Sequence, residues 1–331
     1  MTYTSPVIYP TQVQWIGIGL ETVAYGTAAS APTYWVPVVA PKWKPNQTVL
    51  KDDAVRGDMA TLHGQVAGVR YDTLDYQCYL AIDDVFQHMR AIYGSTDTTT
   101  GSSDPYTHVT SLLNTGTWQP NSSTLWYFDG AECWQITGAQ LVQLDVETKV
   151  TEKGNATASW MGLPATKVSA PSNTPSTKSV WPSWNTTLTI GGNATTNYSD
   201  AKLTFKRDGA SAEFGLAGTQ APYVIFVGGL SVTGSITAIY QGYTATQSDM
   251  ANYLANTQPT LVLQVNPVGD STHYGKWSFT TVAYDDSTVQ EGAKFMELAS
   301  TIEAVATSTD ATSGGASPGK FTLLTAVSTS Y

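Results

Sequence analysis

The chain has 331 residues, of which 13% are charged, and its formal net charge is −10. This length is typical of two domains with a sizeable core, which argues against a disordered chain. The negative charge argues against a DNA-gripping surface, which needs Lys and Arg, and the abundant Thr, Ser, Tyr and Trp favour β-structure.

The first unusual segment lies between Pro41 and Ala60, where charges cluster in a chain that elsewhere avoids them. Strand signals are poor there, so a long exposed loop or arm between two strands is predicted. A solvated loop is one interpretation. The other is a polar arm that docks on a neighbouring copy, where complementary charge sets the register. Its candidate residues are Trp43, Lys44, Lys51, Asp52, Asp53, Arg56 and Asp58.

Two stretches repeat one order of apolar, polar, Gly, polar and aliphatic residues. Leu62–Val66 and Val232–Ile236 are both strand-like and both precede a helical stretch. Matching residues later in the two copies are separated by fewer positions, and an insertion at about 94–123 in the first copy explains this difference. The sequence therefore predicts two domains, 1–165 and 184–331, joined by a Ser/Pro/Thr-rich linker at 166–183. A loose alignment of two unrelated β-rich halves is the alternative.

Each copy is predicted to contain one short helix that lies against a sheet. The first runs from Asp83-Asp84 to Gly94, because apolar residues recur at helical spacing: Ile82, Val85, Phe86, Met89 and Ile92. In the second copy Thr246 and Asp249 resemble a capping box.

Each copy is also predicted to end in a long hairpin with one apolar face. Alternation indicates a strand at Val142–Val150 that returns at Ala156–Met161. In the second copy Lys276–Tyr284 is predicted to pair with Met296–Val305. Two such sheets must pack face to face, so the fold class is mainly β, with two tandem β-sandwiches. The polar sides of the hairpins carry Gln143, Asp145, Glu147, Ser278, Thr280 and Glu297.

The sequence contains no recognisable catalytic or metal-binding pattern. Its four histidines lack metal-ligand spacing, and His88, beside an apolar stripe, is typical of a structural histidine. Neighbouring aspartates such as Asp285-Asp286 face opposite sides of a strand, so they cannot act together on one sugar. Cys78 and Cys133 are predicted to be buried free thiols. We therefore expect no enzymatic activity, cofactor or metal.

The ten tryptophans allow a different class of function. An exposed aromatic row would make the chain a two-domain β-sandwich adhesin or carbohydrate-binding protein. The tryptophans are spread over both copies within strand patterns, which favours core or subunit-interface positions. No basic segment with an apolar core opens the sequence and no apolar run approaches roughly 20 residues, so neither secretion nor membrane insertion is expected.

The opening residues Gly17–Thr27, followed by Trp35-Val36-Pro37-Val38, resemble the start of tail tube (major tail) proteins of long-tailed bacteriophages. In that family Gly-x-Gly-x-Glu-Thr-x-Tyr-Gly-Thr precedes an aromatic-x-Pro strand. Here one extra residue separates Thr22 from Tyr25. The segment Cys133–Gly138, followed by a long hairpin, is similar to the same family.

The resemblance implies tube-like β-sandwiches, each flanked by a helix, that self-associate into stacked rings in the virion tail. Such tubes assemble in the host cytoplasm around a tape-measure protein, and DNA passes through them without specific binding. The polar hairpin sides would face the lumen and the charged arm would contact the next ring. With two copies per chain, a trimer forms a pseudo-sixfold ring and is favoured over a hexamer of chains.

Overall fold

The computed structural model describes residues 8–82, 84–242, 249–329 and 331. The chain is mainly β, as the sequence predicts. Its first half contains β1 (Trp15–Leu20), β2 (Tyr34–Val36), β3 (Val38–Asp52), β4 (Gly64–Tyr79), α1 (Asp84–Tyr93), β5 (Thr98–Thr100), β6 (Tyr106–Ser111), β7 (Ser123–Phe128), β8 (Cys133–Lys149), β9 (Asn155–Gly162) and β10 (Thr166–Val168). Its second half contains β11 (Thr186–Ile190), β12 (Asn193–Ala194), β13 (Tyr198–Arg207), β14 (Ser211–Glu213), β15 (Val224–Phe226), β16 (Leu230–Ile239), α2 (Asp249–Leu254), β17 (Leu261–Val265), β18 (Tyr274–Phe279), β19 (Val282–Glu291), β20 (Met296–Ala304) and β21 (Lys320–Thr325).

Eight strands form one continuous antiparallel sheet in the order β3-β4-β9-β8-β13-β16-β20-β19. Four of these strands come from each half of the chain. The halves meet where β8 pairs with β13, from Lys149 opposite Asp200 to Gln143 opposite Lys206. The sheet therefore crosses from one half to the other without a break.

The long strand β8 belongs to two layers. Its residues from Cys133 to Ala139 pair with β7, and those from Gln140 to Glu147 pair with β9. The second layer of the first half has the order β2-β1-β7-β8-β10. In the second half the corresponding layer has the order β12-β11-β17-β18-β21, and β6 and β5 extend it at β21.

The two halves thus repeat one order of elements. In the eight-stranded sheet, both β3-β4-β9-β8 and β13-β16-β20-β19 place their strands in the chain order first, second, fourth, third. In each half the helix follows the second of these four strands. The first half also contains β5 and β6, which lie in the segment predicted as an insertion. The recurrence supports the predicted duplication, while the domain boundaries remain a prediction.

Helix α1 lies in a hydrophobic core that contains residues of both halves. Its side chains Phe86, Met89 and Ile92 are fully buried, and the Phe86 ring lies 5.9 Å from that of Phe321 in β21. The helix occupies the predicted position, because its apolar stripe needs a sheet to cover it. The second helix, α2, begins at Asp249. Asp83 and Thr246 lie outside the described residues.

The segment 166–183 is not a free linker, contrary to its composition. β10 lies within it and pairs with β8. Near its end Trp181 is fully buried, and its backbone N–H donates to the carbonyl oxygen of Leu80 at 2.8 Å. Burial of the large indole side chain ties this segment to the core.

The predicted strand Lys276–Tyr284 is two strands in different layers. The chain bends at Thr280, whose backbone N–H and hydroxyl each donate to the carboxylate of Asp310 at 2.8 Å. β18 pairs with β17 and β21, and β19 is the strand that pairs with β20. The first predicted hairpin does form, between β8 and β9.

Candidate assembly surfaces

The eight-stranded sheet packs one side on the core and presents polar side chains on the other. On β8, Leu144 and Val146 are fully buried, and Asp145 between them points the opposite way. Directly paired residues of antiparallel neighbours share one side of a sheet. We call this side the polar face; it includes Lys42, Lys44, Thr73, Asp75, Gln77, Gln143, Asp145, Glu147, Thr157, Ser159, Lys202, Thr204, Lys206, Thr233, Ser235, Asp286, Thr288, Gln290, Glu297, Thr301 and Glu303.

Lysines and carboxylates alternate across the polar face. Lys202 Nζ lies 3.7 Å from Asp145 Oδ2 across the join between the halves. The amide of Gln143 donates to Asp145 Oδ1 at 3.2 Å. The sequence-based set contained only uncharged and acidic side chains, although the alternation of Lys202 and Lys206 within β13 also signals this face. The lysines make the surface one of mixed charge.

Two of the predicted lumen-facing residues lie elsewhere. Ser278 belongs to β18, where it pairs with Val262 and Lys320 in the other layer. Thr280 lies in the bend between β18 and β19. Both leave the candidate set, because the strand that carries them ends before the hairpin begins. Four of the six lie on the polar face: Gln143, Asp145, Glu147 and Glu297.

The polar face ends at β3 and β19, each of which has a strand neighbour on one side only within the described chain. The β3 edge carries Pro41, Lys42, Lys44 and Pro45. Proline lacks an N–H, so it is tolerated at sheet edges, and edge lysines discourage indiscriminate pairing. The β19 edge carries Asp285, Asp286 and Glu291. One edge is therefore basic and the opposite edge is acidic.

Beyond the sheet, β3 and β4 continue as a two-stranded ribbon that we call the arm, residues 49–67. Its pairs run from Val49 opposite Ala67 to Asp52 opposite Gly64. The predicted loop over Pro41–Ala60 is thus mostly strand, because Gly64–Ala67 supplies a pairing partner for its second part. The arm exposes apolar side chains: Val49, Leu50, Val55, Met59, Leu62 and Val66. A two-stranded ribbon by itself is marginally stable in water.

The predicted docking residues divide between the arm and the sheet. At the arm tip Asp52 pairs with Arg56, and Asp58 Oδ1 lies 3.7 Å from His63 Nε2. Lys51 and Asp53 are also exposed there.

Trp43 and Lys44 lie on the sheet rather than on the arm. The Trp43 ring stacks on Trp134 with a centroid distance of 4.7 Å, and its Nε1 donates to the buried carboxylate of Asp72 at 2.8 Å. Trp43 is therefore a packing residue. Lys44 lies on the polar face at the β3 edge.

A family model described as phage tail tube protein matches residues 12–319. The chain belongs to this family. None of the curated proteins compared with the chain matches it. Membership makes the chain a structural component of the virion tail that assembles into a tube. The resemblance seen in the opening residues is confirmed.

The opening residues of this tail tube protein have a structural role. The buried carboxylate of Glu21 accepts hydrogen bonds from Gly26 N–H at 2.8 Å, Ser122 Oγ at 2.5 Å, Thr124 Oγ1 at 2.9 Å and Gly138 N–H at 2.8 Å. These bonds join the segment after β1 to β7 and β8. Glu21 therefore anchors the loop that contains Tyr25.

Tyr25 links the two halves of the tail tube protein. Its hydroxyl donates to the carbonyl oxygen of Gly138 at 3.1 Å and accepts from the N–H of Ile225 at 2.7 Å. Burial raises the pKa of Tyr25 to about 12, so the phenol stays protonated and can make both bonds. The hairpin of β14 and β15 is thereby held on the layer of the first half.

Three buried titratable side chains of the tail tube protein, His88, Cys78 and Cys133, are packed in its interior. His88 contacts the hydroxyl of Tyr76 through Nε2 at 2.7 Å and the carbonyl oxygen of Asp84 through Nδ1 at 2.9 Å. Burial lowers the pKa of His88 to about 4. Cys78 and Cys133 are buried free thiols, as predicted, and burial raises their pKa values to about 12 and about 11.

Neither a metal-ligand cluster nor a membrane-spanning helix is found in the described residues. No group of three or more His, Cys, Asp or Glu side chains there is arranged to hold a metal ion. Neither α-helix in the described ranges has the length and apolarity that crossing a bilayer requires. Among the tryptophans, Trp160, Trp181 and Trp277 are fully buried, and Trp118 and Trp184 are well exposed.

Proposed function

We propose that this tail tube protein closes into rings that stack into a hollow tube, with the eight-stranded sheet as the wall and the polar face towards the lumen. The observation that carries the proposal is the pairing of β8 with β13, which joins the four-stranded units of the two halves edge to edge. The same kind of join between the β3 edge and the β19 edge of successive chains would extend the sheet. It would also remove exposed edges, which otherwise invite aggregation.

The repeat within the chain favours a trimer. A head-to-tail contact closes into a ring when the rotation between neighbours divides a full turn. Each chain supplies two four-stranded units with the same strand order, so three chains supply six units in a pseudo-sixfold ring. A ring of six chains is the alternative outcome.

The polar face suits the passage of DNA without specific binding. Proteins bind DNA mainly by neutralising its phosphates with Lys and Arg. On the polar face Lys202 lies beside Asp145, and the chain as a whole carries a net charge of −10. The tape-measure protein would occupy the same lumen while the tube assembles in the host cytoplasm.

The arm is proposed to contact the next ring. It extends past the end of the shared sheet, and its exposed apolar side chains include Val55 and Met59, at 96% and 98% exposure. Burying such side chains against a second ring is favourable, and the charged pairs at the tip would fix the register.

Negative-stain electron microscopy of the purified full chain tests the proposal. The expected particles are rings and stacked tubes with threefold symmetry and pseudo-sixfold modulation. Rings of six chains would agree with the proposed tube and would contradict the proposed trimer. A monodisperse monomer at high protein concentration, above all one that binds glycans through exposed tryptophans, would overturn the assembly itself.

A further inference from the structure

The pairing registers match the residues of one half with those of the other. In the first half one row of directly paired residues crosses the four strands: Trp43, Leu74, Trp160 and Leu141. In the second half the corresponding row is Leu203, Gly234, Ile302 and Tyr284.

A shared irregularity fixes this correspondence. The register of β8 against β9 shifts between Leu141 and Gln143, and the register of β19 against β20 shifts between Tyr284 and Asp286. A bulge at the same place in both halves makes Leu141 equivalent to Tyr284 and Gln143 equivalent to Asp286. The pairing registers make Leu74 equivalent to Gly234. The sequence alignment of Leu62–Val66 with Val232–Ile236 instead matches Gly64 with Gly234, ten residues earlier in the first half. The difference arises because the arm lengthens β4 at its start.

The join between the halves is then a template for the join between chains. In it Asp145 on β8 lies opposite Thr204 on β13, and Gln143 lies opposite Lys206. The equivalents of the β8 residues are Thr288 and Asp286 on the β19 edge. The equivalents of the β13 residues are Lys44 and Asn46 on the β3 edge. Thr288 should therefore lie opposite Lys44 of the partner subunit, and Asp286 opposite Asn46 of the partner subunit.

The charges of the two edges agree with this register. Within one chain Lys202 forms a diagonal ion pair with Asp145. Asp145 lies directly opposite Thr204, two positions after Lys202. In the register between chains Lys44 has the same diagonal relation to Asp286. We propose that Lys44 of the partner subunit and Asp286 form the ion pair that sets the register of the ring joint. The inference rests on the proposed ring, and it moves Lys44 from the contact between rings to the contact within a ring.

Charge exchange tests the ion pair. Lys44→Asp or Asp286→Lys alone should raise the protein concentration at half-maximal ring formation about tenfold or more, since like charges at an interface are strongly unfavourable. The double variant K44D/D286K should restore assembly. Lys206→Asp, an exposed lysine of the polar face away from both edges, is the matched control and should assemble normally. Failure of the double variant to recover, or an equal defect in the control, contradicts the ion pair.

Cysteine crosslinking tests the register directly. Opposite residues of an antiparallel pair have Cα atoms about 4.5–5.5 Å apart, within the range that a disulfide spans. K44C/T288C should give covalently linked oligomers on non-reducing gels faster than K42C/T288C or N46C/T288C. The native Cys78 and Cys133 are buried, so they should stay unlinked.

The outcomes separate this inference from the proposed function. If rings form but another cysteine pair links faster, or all three link equally, the register is wrong and the ring stands. If the unmodified chain forms no rings, the proposed function and this inference both fail.

Discussion

The guanidinium of Arg207 donates from Nη2 to the carbonyl oxygen of Tyr93 at 2.9 Å. Its Nε donates to the carbonyl oxygen of Ile92 at 2.7 Å, so one side chain from β13 covers the C-terminal end of α1. A cation at this end of a helix is favoured by the helix dipole, and the carbonyls there have no partner within the helix. The contact therefore joins β13 of the second half to the helix of the first half.

Replacing Arg207 with Met should destabilise the fold. The variant leaves buried carbonyl oxygens without donors, which costs about 1–3 kcal/mol in the free energy of unfolding. Urea unfolding followed by tryptophan fluorescence measures the loss. The neighbouring exposed Lys206→Met is the control and should change stability by less than about 0.5 kcal/mol. Equal stability of the two variants would contradict the proposed role.

His88 should make the fold sensitive to acid. Burial lowers its folded pKa to about 4, and an unfolded histidine titrates near 6.5. Between these pH values the unfolded chain binds more protons than the folded chain, so the free energy of unfolding falls as the pH decreases. His88 contributes up to about 3 kcal/mol to this fall. His88→Gln should flatten the slope of unfolding free energy between pH 6.5 and 4. His273→Gln, at a partly exposed site, should leave that slope in place.

Glu21→Gln should weaken the anchored opening segment. A glutamine presents an NH2 group where the carboxylate accepts from Gly26 and Gly138 N–H groups, so at least one buried donor loses its acceptor. We expect a loss of about 2 kcal/mol in unfolding free energy. Glu132→Gln, which removes an exposed ion pair with Lys167, should cost less than about 1 kcal/mol. An unchanged urea midpoint for E21Q would show that the network is dispensable.

Shortening the arm should separate ring formation from stacking. Replacing residues 53–63 with an Asn-Gly turn removes the charged tip and leaves the strands of the eight-stranded sheet in place. The expected particles are single rings without long tubes, seen by electron microscopy. Long tubes from this variant would exclude the arm from the contact between rings, and loss of the rings would place it within the ring.

Adding lysines to the polar face should make the tube retain DNA. Thr157→Lys and Thr233→Lys introduce cations at exposed positions of the polar face without removing a charged group. Short DNA should co-sediment with these tubes at low salt and dissociate as salt rises. The logarithm of the binding constant should fall with the logarithm of the salt concentration, with a slope of about −0.9 for each phosphate contact. T174K/T177K, with the same added charge outside the polar face, is the control. Equal retention by both variants would argue that the polar face does not line the lumen.

Local patterns in the sequence predicted the elements that depend on nearest neighbours. The hairpin of β8 and β9 follows from alternation and a turn, and α1 follows from its apolar stripe between Asp84 and Gly94. The prediction of one strand over Lys276–Tyr284 is wrong, because Asp310, 30 residues away in the chain, stabilises a bend at Thr280. The buried position of Trp181 had no signal in a segment rich in Ser, Pro and Thr.

By itself the sequence determined the β class, the family and four polar residues of the candidate lumen, since periodicity and short motifs are local properties of a chain. Only the tertiary structure decided that β8 pairs with β13, that β3 and β19 are the open edges, and that Lys44 belongs to an edge rather than to the arm. Every strand offers the same backbone donors and acceptors. Which strands become neighbours therefore depends on how the whole core packs.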